Sequence, residues 1–173
     1  MTQYIFHSNC YSNKECEHLI NYFEQSTIRF KKNPTNYEGV VTSLSEHKQF
    51  TETLIFQINE YVNIHTFLKN VYAPWTICEN FHIQKYLPGE CYHAEHMEHG
   101  NEEPYSLRLL AWMVYLNTIE DCGGTKWPQQ NFESKAIMGD LYIWPAGWTH
   151  SHYGIPSSET KYIATGWCSF VSG

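Results

Sequence analysis

A mainly β domain whose helices are confined to its first part is the fold class the sequence predicts, and three observations predict it. Helical periodicity is found only up to Lys69, short extended runs separated by turn residues fill the rest, and aromatic residues are abundant, with 13 Tyr, 9 Phe and 6 Trp. Strands at such close spacing build a sandwich or a barrel, of which the double-stranded β-helix, or jelly roll, is one solution. A chain of 173 residues is expected to form one domain with a substantial core. It shows no internal repeat, low-complexity tract or linker. Residues 1–75 are expected to form a helical supporting layer and residues 76–173 the β core.

Tyr4-Ile5-Phe6 reads as a short first strand. Ser12 and Glu15 have the spacing of a capping box, and Cys16, Leu19, Ile20 and Phe23 follow at i, i+3, i+4 and i+7, the pattern of an amphipathic helix. Ile28 to Val41 is broken by a Lys-Lys-Asn-Pro-Thr-Asn loop between two extended pieces. A second helix is expected from about Ser45 to Lys69, with Phe50, Leu54, Ile55, Ile58, Tyr61 and Val62 on one stripe.

From Trp75 the period becomes two. Asn80, His82, Gln84 and Tyr86 share one strand face and Phe81 and Ile83 the other. With the apolar face under the helices, the polar face lines a chamber. Pro88-Gly89 is a turn, Tyr92 to Glu98 is extended, Leu107 to Asn117 is a long apolar strand, and Asp121 to Gly124 is a turn. Phe132 to Met138, a hairpin turn at Gly139-Asp140, Leu141 to Trp144, Trp148 to Tyr153 and Lys161 to Val171 complete the strands.

The net charge of −7 argues against nucleic acid or an anionic membrane as partner, since either needs a basic footprint. The sequence shows neither the charged start and apolar run of a signal peptide nor a membrane-spanning stretch of about 20 apolar residues. Cys10, Cys16, Cys78, Cys91, Cys122 and Cys168 are scattered without a Cys-x-x-Cys pair, which argues against a structural zinc site or a disulfide framework and for a reduced, cytoplasmic setting.

The chemistry is expected to begin between Phe81 and Gly100. In an extended strand His96 and Glu98 share a face and can aim at one point. His93 and Glu95 form a second pair of the same spacing, so spacing alone leaves both open. A third ligand from the distant Thr149-His150-Ser151-His152 cluster would complete a two-histidine, one-carboxylate set with three metal positions free. His150 and His152 have the same parity, and either satisfies the pattern.

Several motifs occur in a fixed order: Tyr86-x-Pro88-Gly89 ending seven residues before His96, Tyr115-Leu116-Asn117, Gly123-Gly124-Thr125 leading into Trp127-Pro128, and Gly139-Asp140-Leu141 through Pro145. The His-x-His cluster and Lys161 to Trp167 follow. In this order they resemble the 2-oxoglutarate- and Fe(II)-dependent dioxygenases, in particular the prolyl 4-hydroxylase-like branch, over roughly Asn80 to Phe170. The resemblance selects His96 and Glu98 as metal ligands. It also selects His152 as the third, because the basic residue that pairs with 2-oxoglutarate follows the metal histidine at about the separation of His152 and Lys161. His150 is then a neighbour of the centre or faces the substrate. Glu98 departs from the pattern, since most members place aspartate there, and its extra methylene must be absorbed by strand placement or by the carboxylate angle.

The same resemblance implies that Lys161 pairs with the distal carboxylate of 2-oxoglutarate, that the hydroxyls of Tyr86 and Tyr115 reach the cosubstrate, and that Ile163, Thr165 and Trp167 line the pocket. It implies Fe(II), 2-oxoglutarate and O2 as reactants, ascorbate as an optional addition, and hydroxylation of a C–H bond with release of succinate and CO2. The implied substrate is a prolyl or other peptidyl side chain first, a free amino acid or small metabolite second. His82, His93 and His99 are expected at the surface or mouth, and Cys91 as a packed thiol. Arg108 and Trp112 receive no role. Lys31 to Gly39 and His99 to Ser106, the latter acidic through Glu102 and Glu103, are the expected mouth segments. A cupin-like, non-oxidative metalloprotein or a jelly-roll binding module are the rival classes; neither needs Lys161 or Tyr115.

Overall fold

A computed structural model describes residues 4–32, 37–71 and 73–171. Among them are β1 (Phe6–Asn9), α1 (Asn13–Gln25), β2 (Phe30–Lys32), β3 (Tyr37–Ser43), α2 (Lys48–Ile64), β4 (Trp75–Ile77), β5 (Asn80–Tyr86) and β6 (Arg108–Tyr115). Then come β7 (Thr125–Trp127), β8 (Phe132–Glu133), β9 (Asp140–Pro145), β10 (Tyr153–Gly154) and β11 (Lys161–Phe170). The main sheet runs β1-β9-β6-β11-β5-β3-β2 with β4 also on β11, and a small sheet runs β10-β7-β8. All pairings are antiparallel, and the fold is a mainly β jelly roll.

The period-two pattern of the strands decides where each side chain goes. On β6, Leu110, Trp112 and Val114 join Phe81, Ile83 and Ala164 in a core shared with Cys16, Leu19 and Phe23 of α1 and Leu54 and Ile58 of α2. Ala111, Met113 and Tyr115 point the other way, into a second core with Tyr86, Trp144 and Ile163, closed by Trp127 and Ala136. Burial of these large rings is the main stabilising term, at about 25 cal/mol per Å² of apolar surface. Residues 4–75 also supply β1, β2 and β3 to the main sheet, beside the two helices expected there.

Helix α1 begins as its capping box predicts, with Glu15 N donating to Ser12 Oγ at 3.3 Å and Ser12 N to the Glu15 carboxylate at 2.9 Å. The second helix is shorter than expected: a single 3-10 turn, Leu44–Glu46, precedes it, and it ends at Ile64 before another at Thr66–Asn70. Its buried stripe, Phe50, Leu54, Ile58 and Tyr61, reaches His65 at the next position, and no apolar side chain is there to carry it on. Ile55, expected on that stripe, is 45% exposed. The first strand starts two residues late, because Tyr4 has a φ of 63°, a left-handed conformation that cannot extend a strand.

Three expected strands are replaced. Tyr92 to Glu98 forms no strand, only an isolated antiparallel bridge of His96 to His152. Strand β8 stops at Glu133, after which Ser134 N donates to Thr125 O and Ala136 O accepts from Ile119 N, so the chain crosses over to the 118–119 segment. Trp148–His150 is a 3-10 turn, and only Tyr153 and Gly154 of that run are paired as strand. The expected Lys-Lys-Asn-Pro-Thr-Asn loop lies outside the described residues from 33 to 36.

Candidate metal centre and cosubstrate pocket

The segment carrying His96 and Glu98 is fixed by backbone bonds to a distant part of the chain. His96 N donates to His152 O at 3.0 Å and His152 N to His96 O at 2.9 Å, while Ala146 O accepts from both Glu98 N and His99 N at 3.1 and 2.9 Å. These bonds bring His96, Glu98 and His152 together, with one ligating atom from each within 4.8 Å of the others. His150 is not in this group. The 3-10 turn directs its buried ring toward Tyr4, with ring centres 6.4 Å apart, and places its Nδ1 3.0 Å from Thr149 Oγ1. The parity that made His150 and His152 equivalent assumed a strand, and the turn removes it. The second pair faces outward, with His93 exposed and Glu95 accepting from Ser151 Oγ.

The donor set suits a divalent cation. Nδ1 of His96 lies 2.9 Å from Ala94 O and Nδ1 of His152 lies 3.0 Å from His150 O. A carbonyl can only accept, so each Nδ1 carries the proton, and in a neutral imidazole the Nε2 lone pair is then free. Both Nε2 atoms face Glu98 Oε1, at 3.7 Å from His96 and 3.4 Å from His152. Separations of that size are spanned by two metal bonds of about 2.0–2.2 Å each. Burial pushes the Glu98 carboxyl up, but His152 and His96, which donate to it from Nε2 when they are protonated and no metal is bound, outweigh that and hold the group well below the usual carboxylate range. Tyr92 packs 4.1 Å from the His96 ring and Trp144 meets the His152 ring edge-on at 5.0 Å, which limits their rotation.

These groups open on a pocket of about 290 Å³ between the two sheets. Lys161, at the start of β11, is only 4% exposed. Its Nζ donates to Gly123 O at 2.7 Å and weakly to Ile155 O at 3.4 Å, with the Tyr86 ring 5.2 Å away. Burial lowers its pKa to about 8. The turn supplying that carbonyl depends on glycine, because Gly123 has a φ of +81° and a Cβ on Gly124 would lie 1.9 Å from Ser134 O. Tyr115, whose phenol burial raises to about 12, is a neutral hydroxyl 2.8 Å from both Thr125 Oγ1 and Ser134 Oγ. Tyr86 donates to Gln84 Oε1 at 2.8 Å.

Trp167 lies on the pocket wall, and its Nε1 donates to Glu98 Oε2 at 2.8 Å, so its polar edge is turned to the Glu98 carboxylate. Arg108 is the participant the sequence reading left without a role: its Nη1 donates to the same Oε2 at 3.0 Å. A lone cation at the head of the apolar run Leu109 to Leu116 was the available signal, since a charge there must find a partner. Thr125, a partner of Tyr115, was also missed as a pocket residue, and Ser134 was missed as the second partner of that hydroxyl. His82 and His99 line the pocket, and Cys91 is buried, as expected.

No protein-family model matches the chain and no curated protein matches it. Solved structures do. A viral collagen prolyl hydroxylase from Paramecium Bursaria Chlorella virus-1, in complex with 2-oxoglutarate, matches with a TM-score of 0.76 at 23% identity, covering 98% of this chain and 97% of that one. A prolyl-4-hydroxylase from Pseudomonas putida matches at 0.75 and 15% identity, covering 98% and 95%. A Trichoplax adhaerens prolyl hydroxylase, in complex with a hypoxia inducible factor oxygen degradation domain peptide fragment, matches at 0.67 and 16% identity, covering 98% and 84%. The chain therefore has the jelly-roll fold of the 2-oxoglutarate-dependent prolyl hydroxylases. Among the described residues, no helix is long and apolar enough to cross a membrane.

Proposed function

We propose that this chain, as one domain, is an Fe(II)- and 2-oxoglutarate-dependent dioxygenase that hydroxylates a prolyl or other peptidyl side chain. One observation carries the reading: a single pocket holds three side chains able to ligate a metal together with a buried ammonium that, among the described residues, meets only carbonyl oxygens and a tyrosine face. A buried cation in that state calls for an anion. The cupin-like alternative explains the histidines and leaves Lys161 unexplained.

His96 and His152 offer Nε2 and Glu98 offers Oε1 to the iron, which when bound supplies activation of O2 and oxidation of an unactivated C–H bond, coupled to conversion of 2-oxoglutarate to succinate and CO2. The residues of the chain bind and orient. Lys161 holds the distal carboxylate of 2-oxoglutarate by charge and by hydrogen bond, acting as a point charge with rotatable donors. Tyr86, Tyr115 and Ile163 surround the carbon chain and keep water from the pair, which strengthens it. At the mouth, Tyr105 and Met97 are 50% and 45% exposed and offer an apolar edge to a substrate backbone. A peptide substrate is supported by the peptide complex of the Trichoplax adhaerens neighbour.

The test is a screen of proline-containing peptides, other peptides and free amino acids with Fe(II), 2-oxoglutarate and O2, read by succinate release and by a one-oxygen mass gain. The reading expects both, with the gain on a peptide. Gain on free amino acids alone would move the substrate class, and the absence of succinate in every reaction would contradict the activity.

A further inference from the structure

The carboxylate of Glu98 is gripped on the side away from the two imidazoles. Arg108 Nη1 donates to Oε2 at 3.0 Å and Trp167 Nε1 donates to the same atom at 2.8 Å, while Oε1 faces both imidazole Nε2 atoms. Arg108 is itself locked in place. Its guanidinium carbon lies 3.5 Å from the centre of the Trp167 ring and 4.6 Å from that of Tyr105, and Nη1 also donates to Glu98 O at 3.2 Å. The backbone under Glu98 is tied to Ala146 O, so side-chain length decides where the carboxylate sits. An aspartate would end one C–C bond, about 1.5 Å, short of the present carboxylate. From the same Cα it could not both meet the two donors and face the imidazoles.

We propose that Arg108 and Trp167 are positioning residues that fit this centre to glutamate: they occupy Oε2, so that Glu98 presents a single oxygen to the metal. This rests on the metal reading above. It gives the unusual ligand a physical reason, since a longer and more mobile carboxylate needs partners that remove its freedom. The sign of one effect separates positioning from simple electrostatics. Arg108 is a cation beside a cation site, so if it acted by charge alone, its removal would tighten metal binding. If it acts by holding Glu98, its removal weakens binding.

The experiment is a Co(II) titration followed by the visible bands of the bound ion, in wild type, R108M, W167F, E98D and the R108M/E98D double variant, each checked for folding by circular dichroism. R108M keeps the long apolar stem; W167F removes one N–H and keeps the ring. The expected result is that R108M and W167F bind Co(II) about 10–100-fold more weakly than wild type with altered bands. E98D also binds more weakly, and adding R108M to it brings no further loss, because the grip has nothing left to hold. Co(II) affinity in R108M and W167F equal to or above that of wild type would overturn the proposal, as would an equal loss from R108M in both backgrounds. If R108M does not fold, W167F decides. A wild-type protein that takes up no Co(II) would remove the metal reading itself, whereas unchanged binding in the variants would remove only the grip.

Discussion

Lys161 is charged below a pKa of about 8 in the folded chain and below the usual 10.5 when unfolded, because burial penalises the ammonium. Between those values the unfolded chain binds more protons, so the free protein gains stability as pH rises from about 8 to 10.5. A carboxylate ligand reverses the preference by favouring the ammonium. The affinity for 2-oxoglutarate is therefore expected to be flat below about pH 8 and to fall up to tenfold per pH unit above it, as titration calorimetry at pH 7, 8 and 9 will show. Lys161→Met should weaken 2-oxoglutarate binding by on the order of 100-fold while leaving Co(II) uptake intact, since it removes one partner of a buried ion pair. Loss of metal with normal 2-oxoglutarate binding would refute that role. At this scale the sequence identified the residue types that converge, and the resemblance chose among equivalents. It did not reveal the grip on Glu98, because nothing local to Arg108 or Trp167 in the sequence points to residue 98.

At the scale of the elements, the helices were legible where local chemistry decides them. Ser12→Ala should cost about 1 kcal/mol of stability in a denaturant melt, since it removes half of a reciprocal capping box. The Gly123-Gly124 turn is a sharper case. Gly124→Ala places a methyl against Ser134 O and should destabilise by several kcal/mol, lowering the melting temperature and with it 2-oxoglutarate binding, because the same turn presents Gly123 O to Lys161. A variant with wild-type melting behaviour would show that the turn relaxes freely. The ligand segments were misread as strands for one physical reason. Their backbone partners are remote, Ala146 O for Glu98 and His99 and the His152 backbone for His96, and a single bridge holds what a ladder was expected to hold. The turn at Trp148–His150 separates His150 from His152 more decisively than any strand pattern could suggest. His152→Ala should abolish Co(II) binding and His150→Ala should keep it, at some cost in melting temperature from the buried ring.

Across the whole molecule, the division of labour follows from the two faces of the main sheet. One face is covered by α1 and α2 and carries stability; the other faces the small sheet and lines the pocket. The alternation of Phe81 and Ile83 with Gln84 and Tyr86 announced both faces in the sequence, whereas the uniformly apolar run around Trp112 and Met113 did not. The extended pieces expected in the first 75 residues are strands, but their ends were not legible, since β1 and β2 are short and β3 is completed by pairing with β5. The central claim is that the three ligands and Lys161 serve one chelate of iron and 2-oxoglutarate. It is tested most directly by adding Fe(II) and then 2-oxoglutarate to the protein without oxygen and recording the visible spectrum. The account predicts a weak charge-transfer band in wild type that is lost in His152→Ala and in Lys161→Met at the same 2-oxoglutarate concentration. No band in wild type at saturating iron and 2-oxoglutarate would contradict it.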